Sequence, residues 1–342
     1  MRHKIIIALI AVITIITNSC KDNGTGPEPL EPGRRDYVWS VDTLNPGHES
    51  LYMLRIAGSS ASDVWAVGAS SWTATSIWHY NGEQWRCDSI PRKISPAALY
   101  VASSNEVWLG NRNSIIWKYN GSQWQQYGEY KIKDYDDVTI QYFDGTSNTN
   151  IYGVGLKYLY KSDTTRGIIQ HYNGITWQYI NIPDIWVNFE SVAIENQSGV
   201  LIISGTVYDP SGFIAKVYSW DGGTLKELLS GSGWSFVTKL GDEIFATLGS
   251  KIYKYSDKQL ILWKDNTGIN GNIICGRSRN DFFIGAPDGI EHFNGSDFSI
   301  VYKNPQGHNV QIIIGTIFEK DVFFIANDFT SNRNSIIHGK LK

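Results

Sequence analysis

The chain has 342 residues, with 13 Trp, 19 Tyr and 33 Gly, and 18% of its residues are charged. This composition favours short strands and turns over solvated helices. The formal net charge is −3 and no basic run occurs, so we do not expect a nucleic-acid partner, whose phosphates need basic side chains.

The first 19 residues predict a signal peptide. Arg2 and Lys4 give the segment a basic start, and an apolar run of twelve residues follows from Ile5 to Ile16. A run of this length is too short to cross a membrane comfortably. We therefore exclude residues 1–19 from the folded domain.

The segment Thr17-Asn18-Ser19-Cys20 resembles the lipobox of bacterial lipoproteins, although Thr17 stands where the family pattern prefers Leu. The resemblance implies cleavage before Cys20 and attachment of lipid to its thiol and new amino group. The acyl chains of the lipid hold a soluble domain at a membrane surface. We expect a cell-envelope location, at the outer membrane, with either face exposed. An ordinary signal peptide or an uncleaved anchor is the alternative.

Residues 20–36 are rich in Pro, Gly and charge and predict a flexible tether after the lipidated cysteine. Beyond the tether only Cys87 and Cys275 remain, and no Cys-x-x-Cys pair occurs. A disulfide framework and a cysteine-rich zinc site are therefore not expected.

A turn residue directly before a strand-like apolar pair recurs at seven positions, spaced 38 to 49 residues apart, and it is polar at six of them. The seven positions are Asp63, Glu106, Asn150, Gly199, Glu243, Asp281 and Asp321. Repeats of this length are typical of four-stranded propeller blades.

A second marker follows the third strand of most units. Tyr80-Asn81-Gly82 is repeated, with variation, at residues 119–121, 172–174, 220–222 and 293–295. Asn-Gly between two strands predicts a hairpin with a type I′ turn, which needs positive φ at both central residues. An aromatic residue usually follows three positions after the glycine, as at Trp85.

The last unit lacks its fourth strand, and the missing piece lies at the other end of the chain. Trp39-Ser40-Val41-Asp42-Thr43-Leu44 matches residues 85–90 position by position. We therefore predict an all-β, seven-bladed propeller of four-stranded antiparallel blades over residues 37–342. The strand at about residues 37–44 pairs onto the last blade and closes the ring, which removes exposed sheet edges.

The pattern S-x-x-D-V-W-x-V-G with I-x-x-Y-N-G-x-x-W resembles a β-propeller repeat of secreted proteins and lipoproteins from bacteria such as myxobacteria and the Bacteroidetes. The resemblance covers residues 37–342. It implies the propeller fold, and it implies little about function because such chains carry diverse activities.

Four histidines precede the third-strand turn in different units, at His79, His171, His292 and His338. Metal binding needs three or four ligands that converge on one point. One histidine in each of four blades does not converge, so we interpret these residues as structural. We expect no metal and no cofactor.

Long connections after the second and fourth strands, among them residues 156–166 and 206–212, share one face of a propeller, which predicts a binding face there. The binding residues we predict on this face are Trp72, Tyr130, Tyr135, Tyr158, Trp186 and Trp234. Exposed aromatic side chains suit sugar rings or a protein partner.

We expect a non-catalytic binding or scaffolding propeller for a polysaccharide, a peptide or an envelope protein, because the sequence has no catalytic constellation. That expectation rests on fold analogy. A carbohydrate-active enzyme, such as a glycoside hydrolase, lyase or glycosyltransferase-like protein, is the first alternative, with Asp136, Asp137, Asp184 and Asp209 as candidate acids. An accessory factor in outer-membrane protein assembly is the second.

Overall fold

The structure is a computed structural model that describes residues 31–44, 51–70, 76–88, 94–209, 212–265, 274–305 and 309–342. Within those ranges the chain forms 28 strands and one short 3-10 helix. The unit that holds these strands runs from Pro32 to Lys342. The predicted signal peptide, Cys20 and most of the tether lie outside the described residues.

Four separate sheets each consist of four antiparallel strands that are consecutive in the chain. The first comprises β2 (Leu51–Ser60), β3 (Asp63–Ser70), β4 (Ile77–Tyr80) and β5 (Trp85–Cys87). The second comprises β6 (Pro96–Ser103), β7 (Glu106–Asn111), β8 (Ile115–Tyr119) and β9 (Trp124–Glu129). The third comprises β10 (Asp137–Ser147), β11 (Asn150–Leu159), β12 (Thr164–Tyr172) and β13 (Trp177–Ile180), with the 3-10 helix Tyr160–Ser162 between β11 and β12. The fourth comprises β14 (Asn188–Ile194), β15 (Leu201–Asp209), β16 (Gly212–Trp220) and β17 (Leu225–Gly231).

A fifth four-stranded sheet joins the two ends of the chain. It comprises β1 (Tyr37–Thr43), β26 (Val310–Ile317), β27 (Asp321–Asp328) and β28 (Arg333–Leu341). β1 pairs antiparallel with β28 from Tyr37–Leu341 to Thr43–Ser335, and the Leu44 amide donates to the Asn334 carbonyl at 2.8 Å. The predicted closure by the N-terminal strand is confirmed.

The remaining eight strands form one continuous sheet. It comprises β18 (Ser235–Leu240), β19 (Glu243–Leu248), β20 (Lys251–Ser256), β21 (Gln259–Lys264), β22 (Ile274–Ser278), β23 (Asp281–Ala286), β24 (Gly289–Phe293) and β25 (Phe298–Lys303). The prediction of seven separate blades is therefore wrong, since five separate four-stranded blades are present. The physical reason is the pairing of Leu240 with Gly276 in parallel register, which joins the first strands of two antiparallel halves.

The Asn-Gly and Asp-Gly connections after third strands have the predicted position but not the predicted turn type. Between β4 and β5, Gly82 has a φ of +93° and Asn81 does not have positive φ. The Asn81 side-chain oxygen instead accepts hydrogen bonds from the amides of Glu83 and Gln84 at 3.1 and 3.0 Å. The asparagine therefore forms an Asx turn, which replaces the expected type I′ geometry.

Two predicted loops are largely strand. The 156–166 loop is mostly the end of β11 and the start of β12, whose pairing extends to Leu159–Thr164. The 206–212 loop is mostly the β15–β16 hairpin, which pairs as far as Asp209–Gly212.

Fourth-strand aromatics pack between neighbouring sheets, as their repeat position predicts. Trp124 of β9 meets Trp65 of β3 edge-to-face at 5.4 Å, and Trp177 of β13 meets Trp108 of β7 at 5.7 Å. Trp65 and Trp108 are completely buried. Edge-to-face pairs of this kind add to the gain from burial.

The first strand of each separate sheet carries a β-bulge near its start. The register shifts leave one residue unpaired at Leu54, Ala97, Gln141, Glu190 and Ile313. A bulge turns a side chain and a carbonyl away from the regular ladder. The bulges therefore present unpaired main-chain groups along the inner strands of the ring.

Candidate functional site

A cavity of about 420 Å³ lies at the starts of five inner strands, β2, β10, β14, β18 and β26. Inner strands line the central axis of a propeller, so the cavity opens on that axis. Its polar lining consists of Arg55, Gln141, Asn188, Glu190, Ser235 and Gln311. We call it the mouth cavity. Its volume is in the range of ligand sites in proteins.

Two pairs of aromatic side chains flank the mouth cavity. Tyr52 and Trp234 line it directly. Phe329 lies beside Tyr52 with ring centroids 6.1 Å apart, and Phe213 lies beside Trp234 at 4.8 Å. All four are exposed, by 37% for Phe213, 39% for Tyr52, 43% for Trp234 and 59% for Phe329. We call these four residues the mouth aromatics.

The floor of the mouth cavity is polar and carries opposite charges. The Arg55 guanidinium lies 5.1 Å from the ring centre of Tyr142, and burial raises the pKa of Tyr142 to about 12. Burial also raises the pKa of Glu190, although hydrogen bonds from Thr206 and Asn188 at 3.0 and 3.1 Å favour its ionised form.

A second group of side chains lies farther out on the ring. Asp184 accepts from Lys157 at 2.9 Å and from Arg166 at 3.1 Å. Lys157 lies 4.5 Å from the ring centre of Tyr135, and Arg166 lies 4.5 Å from that of Trp186, which is 58% exposed. We call these five residues the outer cluster. Each aromatic ring here already has a cation on one face.

The predicted binding residues divide between these two places. Trp234 belongs to the mouth cavity, whereas Tyr135 and Trp186 belong to the outer cluster. Trp186 also lines a small cavity with Asn188, and Asn188 lines the mouth cavity, so the two places adjoin. Trp72 lies outside the described residues.

Tyr158 and Tyr130 join neither group. The Tyr158 hydroxyl donates to the Asp163 carboxylate, which raises the pKa of Tyr158, and its ring contacts Tyr160 at 5.0 Å. The Tyr130 ring folds back over Gly128, where a Cβ atom would approach it within 2.8 Å. Tyr130 therefore supports packing between the second and third sheets.

The candidate acids of the enzyme hypothesis have structural partners. Asp136 accepts from the Tyr160 amide at 2.7 Å, and Asp137 accepts from the Asn113 amide at 2.8 Å. Burial alone would raise the pKa of Asp184, but hydrogen bonds from Lys157 and Arg166 hold it below its usual value. The Asp209 side chain lies outside the described residues. These contacts favour ionised structural carboxylates over a proton donor.

The four repeat histidines each bond within their own sheet, so their structural interpretation is confirmed. Each Nε2 lies 2.7 Å from the side-chain oxygen of the residue that opens the second strand; the pairs are His79–Asp63, His171–Asn150, His292–Asp281 and His338–Asp321. Each imidazole also stacks on an aromatic ring at 4.0 to 4.3 Å. In the described ranges no three His, Cys, Asp or Glu side chains are placed to hold a metal ion.

Sequence reasoning missed most of the mouth cavity. Arg55 and Glu190 lie in apolar first strands, and we treated those strands only as core. A charged residue in a strand that lines a propeller axis is a usable signal, because unpaired charge is rarely buried in a core. Tyr52 and Phe213 were missed because they lie in strands that we had read as core or loop.

No family model matches the chain, and no curated protein sequence matches it significantly. Solved structures do match. The chain is similar to "YCF48 bound to D1 peptide", with 13% identity, a TM-score of 0.60, and coverage of 89% of this chain and 97% of that one. YCF48 from Cyanidioschyzon merolae matches with 9% identity and a TM-score of 0.56 over 88% of this chain and 98% of that one. The WD40 β-propeller domain of Doa1 matches with 10% identity and a TM-score of 0.57 over 88% and 96%.

These similarities show an all-β propeller of four-stranded antiparallel blades. Identities of 9 to 13% show the fold alone. No helix in the part of the chain that the structure describes is long and apolar enough to span a membrane.

Proposed function

We propose that this chain is a non-catalytic, lipid-anchored propeller of the bacterial envelope that binds a peptide segment of a partner protein at the mouth cavity. The observation that carries the proposal is the set of four exposed mouth aromatics around a polar cavity. Aromatic anchors beside a desolvated pocket dominate the binding energy of many interfaces.

The contrast with the outer cluster supports the mouth cavity as the binding place. In the outer cluster, Lys157, Arg166 and Asp184 already satisfy one another. At the mouth, the Tyr52 ring contacts only the Phe329 ring and the Trp234 ring only the Phe213 ring among the aromatic rings of the described residues. Apolar ring surface at the mouth therefore gains more from a partner than ring surface in the outer cluster.

A protein ligand is supported by one of the similar structures, which is described as YCF48 bound to a D1 peptide. That description concerns YCF48, and the likeness to this chain is one of fold. The likeness of fold supports a peptide over a polysaccharide as the ligand of this chain.

The anchor part of the proposal rests on the lipobox-like sequence that ends at Cys20. Two or more acyl chains hold a soluble domain stably at a bilayer. Metabolic labelling with an alkyne fatty acid in a bacterial host should label the full chain, and Cys20→Ser should remove both the label and the membrane fractionation. Equal labelling of the two proteins would refute the anchor.

We also propose that the eight-stranded sheet acts as two blades, so that the ring has seven repeating units. Strands β18 to β21 and β22 to β25 are each antiparallel, and a single parallel pairing joins them. Native-state hydrogen exchange should show the Leu240–Gly276 pairing opening before the antiparallel ladders on either side.

The binding proposal is tested by selecting peptides from a random library against residues 32–342. A glycan array with a reducing-end assay runs in parallel. Selected peptides that bind in solution at micromolar Kd support the proposal. Glycan binding without peptides would instead favour a carbohydrate-binding propeller, and release of reducing ends would favour the carbohydrate-active enzyme.

A further inference from the structure

Main-chain oxygens hold the Arg55 guanidinium at the floor of the mouth cavity. Nε and Nη2 donate to the Gln141 carbonyl at 3.2 and 2.8 Å, and Nη1 donates to the Leu54 carbonyl at 3.0 Å. Nη2 also makes a long contact of 3.5 Å to the Glu190 carbonyl. A guanidinium has five N–H groups, so one has no acceptor among the described residues and another has a weak one.

The β-bulges explain why Arg55 lies there. Leu54, Gln141 and Glu190 are the unpaired bulge residues of β2, β10 and β14. Bulging removes their carbonyls from the ladder, and a buried carbonyl without a donor is costly. Arg55 supplies donors to carbonyls of three sheets, which fixes the orientation of its guanidinium without neutralising its charge.

No carboxylate within the described ranges lies within 4 Å of the Arg55 nitrogens. The nearest acid in the same wall is Glu190, whose carboxylate is engaged by Thr206 and Asn188. The other groups that face Arg55 are the phenols of Tyr52 and Tyr142, which are neutral at pH 7. Burial lowers the pKa of Arg55, and the charge of the nearby Glu190 offsets only part of that shift.

Two further polar atoms of the cavity wall are unpaired. Ser235 is 1% exposed, and its hydroxyl has no hydrogen-bond partner among the described residues. The side-chain oxygen of Asn188 is likewise buried without a donor. Both residues line the mouth cavity. Buried polar groups of native proteins almost always have a partner, so these two atoms are open to a hydrogen bond from water or from a ligand.

We propose that the mouth cavity binds a carboxylate of the partner peptide, with Arg55 as the residue that receives it. The inference rests on the proposed function, and it adds the chemistry of the peptide. The carboxylate accepts one hydrogen bond from the free N–H of Arg55. It accepts a second from the Nη2 N–H that now makes the long contact to the Glu190 carbonyl. Charge-assisted pairs of this kind are about twice as strong as neutral hydrogen bonds.

The unpaired wall atoms favour a peptide as the source of this carboxylate. Asn188 offers an acceptor, and an amide N–H close to the carboxylate satisfies it. The Ser235 hydroxyl offers a hydrogen-bond donor to the second oxygen of the carboxylate. An acidic side chain on a peptide backbone and a peptide C-terminus both combine a carboxylate with a nearby N–H.

The direct test follows the Nε–Hε NMR signal of Arg55 in residues 32–342. Three probes are titrated: acetyl-glutamate methylamide, which carries a side-chain carboxylate; acetylglycine, which carries a terminal carboxylate; and neutral acetyl-glutamine methylamide. We expect a saturable shift with one or both acids, and affinity at least about tenfold weaker for the amide. The acid that binds more tightly identifies a side chain or a terminus as the source.

Variants separate recognition by Arg55 from a general loss of structure. Arg55→Gln should abolish the preference for acid over amide, whereas Arg55→Lys should keep part of it because the charge remains. Arg86→Gln, on exposed strand β5, is the matched control and should bind like the wild type. Glucuronate is a further probe, and its binding in place of the peptide acids would overturn the peptide assignment.

An absent or non-saturable shift with both acids overturns the carboxylate site. So does an equal affinity for acid and amide, or an acid preference that survives in a folded Arg55→Gln variant. The outcome is independent of the peptide selection. Saturable binding of the acids with no selected peptides would support the anion site and refute the peptide partner. Selected peptides without saturable binding of the acids would support the peptide partner and refute the anion site.

Discussion

Two half-buried cations on the inner strands of the ring differ in their partners. Lys239, near the end of β18, lies 2.7 Å from the Asp144 carboxylate near the end of β10. Asp144 also accepts from the amides of Ile194 and Gly145 at 2.8 and 2.9 Å. Arg55, near the starts of the inner strands, is held by neutral carbonyls alone.

The difference distinguishes a structural charge from one available to a ligand. At the Asp144 end, the Asp144 carboxylate neutralises Lys239 and also accepts hydrogen bonds from two main-chain amides. At the Arg55 end, bulged strands orient a cation that makes no direct ion pair among the described residues, and Glu190 is the nearby acid. Burying a charge without a partner lowers stability, and proteins accept this cost where binding recovers it.

The largest effect should come from breaking the paired end. Lys239→Met leaves the half-buried Asp144 carboxylate without its cation and should lower the free energy of unfolding by about 2–4 kcal/mol. Arg55→Met removes donors to neutral carbonyls and should cost about 1–2 kcal/mol. Urea unfolding of the two variants measures the contrast, and equal losses would contradict the distinction between the two ends.

A smaller effect is expected at Asp281, whose anion has two partners. Burial alone would raise the pKa of Asp281, but the hydrogen bond from His292 and the charge of Arg277 hold it below its usual value. A carboxyl with a lowered folded pKa stabilises the protein above about pH 4, and this contribution is lost as the pH falls through the folded pKa.

Asp281→Asn should therefore lose about 1–3 kcal/mol at pH 7 and lose less at pH 3. Thermal melting of wild type and variant across this pH range measures the difference. Asn280→Ala, at the adjacent exposed turn, is the control for local disruption. A loss that does not change with pH would show that the Asp281 charge contributes nothing.

The smallest effect concerns a histidine with a neutral partner. His171 bonds to Asn150 where the other three repeat histidines bond to Asp, and burial lowers the pKa of His171. A lowered histidine pKa means that stability is lost as the pH falls below about 6.5. Asn150→Asp should raise the pKa of His171 and add up to about 1 kcal/mol at pH 5.5.

NMR titration of the His171 ring measures that pKa in wild type and variant. The change should be absent at His79, which already has a carboxylate partner and serves as the internal control. An unchanged His171 pKa in Asn150→Asp would contradict the pairing seen between β11 and β12.

The repeat markers predicted the strands and the ring closure well because they report local chemistry. The second-strand acid, the Asn-Gly turn and the fourth-strand Trp each act within one unit or between neighbours, so spacing along the chain was sufficient. The turn type was wrong because the Asn81 side-chain oxygen accepts hydrogen bonds from the following amides, and these compete with the backbone preference. The number of separate blades was wrong because one long-range pairing, Leu240–Gly276, is not encoded locally.

The candidate site was predicted only in part for the same reason. Exposed aromatics on connections pointed to Trp234, Tyr135 and Trp186, but the sequence did not show that cations already cover the last two rings. Arg55 meets the bulges of strands that are 86 and 135 residues away in sequence. Only the closed ring brings those carbonyls together.

The most direct measurement for the central claim compares peptide affinity in two double variants. Tyr52→Ala with Trp234→Ala removes ring surface at the mouth, and Tyr135→Ala with Trp186→Ala removes matched ring surface from the outer cluster. For a selected peptide, we predict at least about 30-fold weaker binding to the mouth variant and a change within about threefold for the outer variant. Loss of binding in the outer variant alone, with the mouth variant unaffected, would contradict the assignment of the mouth cavity as the binding site.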